Sequence, residues 1–250
     1  MTSSSKELAI ERNGVALHVT LTRPTRSNAL SATLVEALLD VLQAAEADGT
    51  ALVTFRGEGD NFCSGFDLGN IDEQTDGDLL LKLVRIEHLL QRVAYARFTT
   101  LALVQGKAIG AGCDLFCACS ERVATPDAVF RMPGWRFGIA LGTRRLVQRV
   151  GADAARSILA SSRTFAVDEA LRLGLVTSLA KTEQWLDIVK SASERASFLD
   201  PVSRFMLLDL TASDTRAIDL AALVESASRP GLKNRIQKYR SAERAILDRK

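Results

Sequence analysis

The sequence predicts an α/β core followed by a helical C-terminal part, and three observations carry that reading. Strand-like apolar runs alternate with amphipathic helical patterns up to about Phe130, and only helical patterns follow. Asn13-Gly14 stands between two apolar runs, a short-range hairpin signal. Two turns of small residues, Cys63-Ser64-Gly65 and Gly110-Ala111-Gly112, each read as opening into a helix.

The elements follow in order. Ile10 to Leu21 reads as a hairpin turning at Asn13-Gly14. Ser31 can cap a helix to about Ala47, with Leu34, Ala37, Leu38, Val41 and Leu42 on its apolar stripe. Ala51 to Phe55 is a short buried strand, and Gly57 to Asp60 a turn. Asp72 to Asp78, acidic and containing Gly77, reads as a mobile loop before a helix from Leu79 to Arg97. Thr100 to Gln105 is a strand, and Val123 and Ala128-Val129-Phe130 suggest short strands around Pro126. Helices are expected over Thr143–Val150, Ala152–Ser161, Val167–Leu173 and Glu183–Phe198, with more to the end.

A chain of 250 residues can bury a sizeable core. Hydrophobic residues at 47% and charged residues at 25% are ordinary for a globular protein. A net charge of +2, with no dense basic stripe, argues against nucleic acid as a partner. Lys233, Arg235, Lys238 and Arg240 alternate with Glu243 and Asp248 and read as a solvated helix face. The polar start, Met1 to Lys6, reads as frayed and lacks the apolar core of a secretory signal. No apolar run reaches the roughly 18 residues of a membrane span. The expected location is the cytoplasm, without membrane attachment.

Cys113, Cys117 and Cys119 lie in an apolar stretch with no second cysteine pair or histidine cluster, so they read as small buried hydrophobes and no metal is expected. Cys63 has no evident base to activate it. The histidines, His18 and His88, have no Ser or Cys partner at a recognisable spacing.

The chemistry-bearing pieces are Phe62-Cys63-Ser64-Gly65-Phe66-Asp67-Leu68 and Gly110-Ala111-Gly112-Cys113-Asp114-Leu115. A helix start leaves backbone N–H groups unpaired and partly positive, so two such starts aimed at one point would form an oxyanion hole. In that order, with Leu21-Thr22-Arg23-Pro24 and Asn28-Ala29-Leu30-Ser31 upstream and Ala170-Leu171-Arg172-Leu173-Gly174-Leu175-Val176 downstream, the chain resembles the crotonase, or enoyl-CoA hydratase/isomerase, family.

The resemblance implies a crotonase-like spiral of ββα turns with a helical C-terminal trimerisation region. It implies an acyl-CoA-binding core over residues 7–195, a helical region over 196–250, and a homotrimer or hexamer. The substrate would be an acyl-CoA thioester, with no cofactor beyond the coenzyme A that the substrate carries. It puts the oxyanion donors at the Ser64 and Ala111 N–H groups and a catalytic carboxylate at Asp114. Arg26, Ala29, Leu30, Ser64, Phe66, Asp67, Leu68, Ala111, Pro133, Gly134 and Trp135 would contact the substrate.

The chain departs from the family pattern at Pro133-Gly134, where hydratases have Pro-Glu; Gly134 has no side chain to carry a proton. Ala111 replaces a usual Gly, Asp114 is a methylene shorter than the usual Glu, and residues 134 to 148 contain no acid. Without the second catalytic glutamate, the standard hydration is not implied. Two readings stay open: an enzyme that stabilises a thioester enolate, and a non-catalytic acyl-CoA-binding homologue or oligomer subunit.

Overall fold

The computed structural model describes residues 3–247. The chain opens with strands β1 (Ser3–Ser5), β2 (Leu8–Asn13) and β3 (Ala16–Leu21), then helix α1 (Ala32–Ala45) and β4 (Leu52–Gly57). α2 (Asp76–Ala94), β5 (Thr99–Val104), β6 (Lys107–Ile109), α3 (Ala111–Ala118), β7 (Glu121–Ala124) and β8 (Val129–Arg131) complete the first half. After it come α4 (Thr143–Val150), α5 (Ala152–Ser161), β9 (Phe165–Ala166), α6 (Val167–Arg172), β10 (Ser178–Leu179), α7 (Trp185–Phe198), α8 (Pro201–Thr211), α9 (Arg216–Ala227) and α10 (Leu232–Leu247). Met1, Thr2 and Asp248 lie outside the described residues.

Seven strands form one sheet in the order β1-β2-β3-β4-β5-β7-β10, antiparallel up to β3 and parallel from there. A second layer is built from short pieces: the bridges Leu30–Phe66 and Cys63–Ala108, and the small sheet β6-β8-β9. Each passage of the chain supplies a strand to the large sheet, a short segment to the second layer, and then a helix. This is the expected spiral of ββα turns, with helices alone at the C-terminal end.

The hairpin turns one residue later than Asn13-Gly14 predicts. Asn13 pairs with Ala16, leaving Gly14-Val15 as the loop, because Gly14 takes the left-handed backbone (φ +57°) that the first loop position needs. Ser31 caps α1 as expected, accepting from the Leu34 N–H at 3.0 Å.

Three other expectations are corrected. The Cys63-Ser64-Gly65 turn does not open into a helix; it runs extended through both second-layer bridges, and α2 begins only at Asp76. The helix expected from Leu79 to Arg97 runs from Asp76 to Ala94, because Thr75 and Asp78 form a reciprocal capping box that starts it early. Asp72 to Asp78 is therefore no free loop: Asp76 accepts from the N–H groups of Gly231, Leu232 and Lys233 at 2.8–3.1 Å.

Leu34, Leu38, Phe55, Leu83, Leu90, Leu115 and Phe116 fill the main core between sheet and helices, joined by Leu223, Ala227, Leu232 and Ile236 from α9 and α10. The expected boundary between residues 195 and 196 falls inside α7. Trp185, Ala192 and Ala196 of α7 instead cover the opposite sheet face, over Leu52, Leu101 and Leu103. No described helix is long and apolar enough to cross a membrane.

Candidate active site

The second layer brings the two small-residue segments into direct contact. A Cβ added at Gly65 would stand 2.9 Å from the Ala111 nitrogen and overlap the Ile109 carbonyl oxygen. One added at Gly112 would stand 2.8 Å from Cys63 Cβ and overlap the Cys63 carbonyl oxygen. Only glycine permits either approach, and Gly65 is also left-handed at φ +87°. Gly110 precedes α3, so Ala111 is the first helical residue and its N–H has no intrahelical acceptor.

Ser64, expected as the first donor, is committed elsewhere. Its N–H donates to the Ser27 carbonyl at 2.9 Å, and its hydroxyl donates to the Arg26 carbonyl at 3.3 Å. Ser27 and Asn28 take left-handed backbones, and the buried Asn28 amide donates to the carbonyls of Glu58 and Asn61 at 3.0 and 2.8 Å, which fixes this corner. Two residues on, the Phe66 N–H has no acceptor among the described residues, although the bridge to Leu30 engages both of its neighbours: Gly65 O accepts from Leu30 and the Asp67 N–H donates to Leu30 O.

These segments edge a cavity of about 110 Å³. Of the expected substrate contacts, Ser64, Phe66, Leu68, Ala111, Pro133, Gly134 and Trp135 line it, as does Asp114. Arg26, Ala29, Leu30 and Asp67 do not. Arg26 is exposed, and Ala29 is buried with its carbonyl held by the Arg23 guanidinium. Leu30 is buried at the Phe66 bridge. Asp67 pairs with Arg23 at 2.9 Å and accepts from the Gly69 N–H at 2.8 Å. Burial alone would raise its pKa, but those two partners and Arg26 hold it below the usual range. Asp67 is a structural carboxylate.

Asp114 has the opposite character. It sits one helical turn after Gly110, is 3% exposed, and its Oδ1 has no hydrogen-bond partner among the described residues. Burial pushes its carboxyl well above the usual range; Cys117 and Glu87 add to the rise and the Arg145 guanidinium opposes it. Behind it, the buried Arg145 pairs with Glu87 (Nη1–Oε1 3.1 Å) and reaches Asp219 at 3.4 Å, tying α4 to α2 and α9. Asp114 and Tyr239 are the titratable side chains that line the cavity; apart from Ser64 and Trp135 the rest of the lining is apolar or glycine. Trp135 is 46% exposed and donates from Nε1 to the Thr143 hydroxyl at 3.2 Å, so it stands at the rim and not in the core.

Met132, Phe137, Ile139, Leu141, Leu159 and Tyr239 also line the cavity, and sequence reasoning missed all of them as site residues. A signal existed for Phe137 to Leu141, which follow Trp135 directly; none existed for Tyr239, which arrives on the last helix. A larger cleft of about 600 Å³ opens on the far side of α3, beside Cys117, Arg149 and Phe205. It lacks the free backbone donors, and Arg149 there is spent on the carbonyls of Cys117 and Cys119. His18 is half-buried on the sheet, bonded to Thr54 at 3.0 Å, and lies outside the cavity. Cys63, Cys113, Cys117 and Cys119 are buried free thiols, with burial pushing Cys63 up to about 12. Among the described residues no group of three or more His, Cys, Asp or Glu stands together as metal ligands.

The enoyl-CoA hydratase/isomerase family model matches residues 11–221. A crystal structure of a Bordetella parapertussis protein, named as an enoyl-CoA hydratase/isomerase, is 51% identical and superposes with a TM-score of 0.93 over 94% of this chain and 98% of its own. A Mycobacterium leprae protein named as enoyl-CoA hydratase echA6 is 33% identical over 177 residues, 67% of this chain and 70% of that protein. The ethylmalonyl-CoA decarboxylase of Mus musculus is 30% identical over 199 residues, 73% of this chain and 61% of that protein.

Proposed function

Because the chain belongs to the enoyl-CoA hydratase/isomerase family, we propose that it is an enzyme that binds an acyl-CoA thioester and stabilises its enolate oxygen with two backbone N–H groups. Phe66 and Ala111 supply those donors. Ser64 does not, since its N–H is already satisfied by Ser27. Each donor aimed at a developing oxyanion contributes about 3–4 kcal/mol to the transition state. The Ala111 side chain does not interfere with this role, because the donor is the peptide N–H.

Asp114 is the proton-transferring group. The observation that carries this reading is its unpartnered, buried carboxyl in the cavity, on the helix whose first N–H is an oxyanion donor. A carboxyl kept neutral by burial can give a proton to an enolate carbon, and its conjugate base can take one back. Gly134 offers no second carboxyl, and no other carboxyl lines the cavity. The addition of water by two carboxylates is therefore not the reaction proposed.

The missing second acid also favours a second reading, a binder of acyl-CoA without turnover. One experiment separates the two: exchange of the α-protons of butyryl-CoA in heavy water, read by mass spectrometry for wild type and Asp114→Asn. Exchange by the wild type that is lost in the variant supports the enzyme. Binding without exchange in either protein leaves the binder.

Self-association as a homotrimer or hexamer belongs to the same proposal. Phe198, Val202, Met206, Leu207 and Leu210 at the end of α7 and along α8 are exposed apolar side chains, a surface suited to burial against another copy. Sedimentation of the protein, with Phe198→Glu/Leu210→Glu as the disrupting variant, tests it.

A further inference from the structure

We propose that α10 forms a fixed wall of the cavity and that Tyr239 on it sets the length of acyl chain the site accepts. The proposal rests on the acyl-CoA reading above and adds the residue that limits the substrate. Tyr239 is the residue of the helices after α5 that lines the cavity among those described. Its ring packs on that of Phe137, centroids 5.1 Å apart and planes inclined by 43°, and Phe137 lines the cavity too. Ile139, Leu141 and Leu159 add apolar lining to the same cavity, and the Trp135 indole in that lining is exposed.

The wall does not depend on the ring alone, because α10 is fastened along its length. At its start, Asp76 accepts from three successive N–H groups, those of Gly231, Leu232 and Lys233. One turn on, Arg235 donates to the Phe137 and Gly138 carbonyls at 2.8 and 3.2 Å, holding the loop that carries Phe137. Further along, Glu243 accepts from Arg131 at 2.9 Å in a two-pronged pair. Leu232, Ile236, Tyr239 and Glu243 recur at helical spacing, so the face that enters the core also presents the phenol. The Tyr239 hydroxyl has no hydrogen-bond partner among the described residues, although the charged groups of Arg131, Glu243 and Arg136 stand near it.

An acyl chain extending from the thioester would thus lengthen until it met this ring. Each methylene that finds room adds about a fourfold gain in affinity, and one that does not adds nothing. The test is titration calorimetry of saturated CoA esters from acetyl to dodecanoyl against wild type, Tyr239→Phe, Tyr239→Ala and Tyr239→Trp, each checked by thermal melting. In the wild type, affinity should climb with chain length and then stop. Tyr239→Ala should move the stopping point to longer chains, about fourfold per added methylene; Tyr239→Trp should move it to shorter ones, and Tyr239→Phe should leave it in place. If Tyr239→Ala does not fold, Tyr239→Leu gives the smaller shift in the same direction. An unchanged stopping point in the folded variants overturns the gate alone. A shift in Tyr239→Phe as large as in Tyr239→Ala overturns it in favour of recognition by the hydroxyl. Failure of every ester to bind the wild type overturns the acyl-CoA reading and the gate with it.

Discussion

Gly142 makes room for Asp114: a Cβ added at residue 142 would stand 2.5 Å from Asp114 Cγ and overlap its Oδ1. Gly142 also holds the left-handed backbone, φ +63°, that begins α4. The glycine thus serves two ends, the start of one helix and the seat of the carboxyl carried by another.

Gly142→Ala is accordingly expected to do more than strain a turn. The left-handed backbone alone costs a non-glycine residue about 1–3 kcal/mol, and the methyl must displace the Asp114 carboxyl. Thermal melting should show a modest loss of stability, and α-proton exchange should fall far more than the melt explains. Equal exchange by the two proteins would separate Asp114 from the chemistry.

Asp114 should also leave a mark on stability as a function of pH. Its carboxyl has a folded pKa raised above the ordinary 3.8. Between 3.8 and the raised value, the unfolded chain has released this proton while the folded chain keeps it. The folded state then binds more protons, so this residue's contribution falls as pH rises through that window and levels off above it. Urea unfolding of wild type and Asp114→Asn across that range isolates the effect. The variant should gain stability relative to wild type with rising pH, and parallel curves would show that the carboxyl is not raised.

Ala111→Pro removes the second proposed donor with little harm to the helix. Proline is well tolerated at the first helical position, where the N–H has no intrahelical partner. Turnover should fall by about 100- to 1000-fold with the melt little changed. Ser64→Gly, by contrast, leaves both proposed donors in place and should retain most activity.

The buried pair of Arg145 and Glu87 gives a prediction about the scaffold. Arg145→Met leaves the Glu87 carboxylate, 1% exposed, without its cation, a loss of about 3–5 kcal/mol in chemical denaturation. Adding Glu87→Leu should restore much of it, since the double variant then buries no orphaned charge at this contact. Asp219 keeps partners in either case, in Arg144 and Thr215.

Much of the site is legible in the sequence because its pieces are local. The α3 start at Gly110-Ala111, the Ser31 cap and the absence of an acid at Gly134 are each properties of a few consecutive residues. Two of the errors share one cause. Ser64 reads as a donor because adjacent small residues look alike; only the approach of Ser27 removes its N–H and leaves that of Phe66. The acidic stretch near Asp76 reads as a loop because its partners, at the start of α10, lie at the other end of the chain.

The sequence by itself determined the alternation of strand and helix, since periodicity and turn chemistry act over a few residues, and its motifs carried the resemblance to the family whose model the chain matches. Tertiary structure alone decided which N–H groups stay free, that Gly142 seats Asp114, and that Tyr239 lines the cavity. Those outcomes depend on close packing between distant segments, where the position of one methyl group or one carbonyl decides whether a donor or a carboxyl is available.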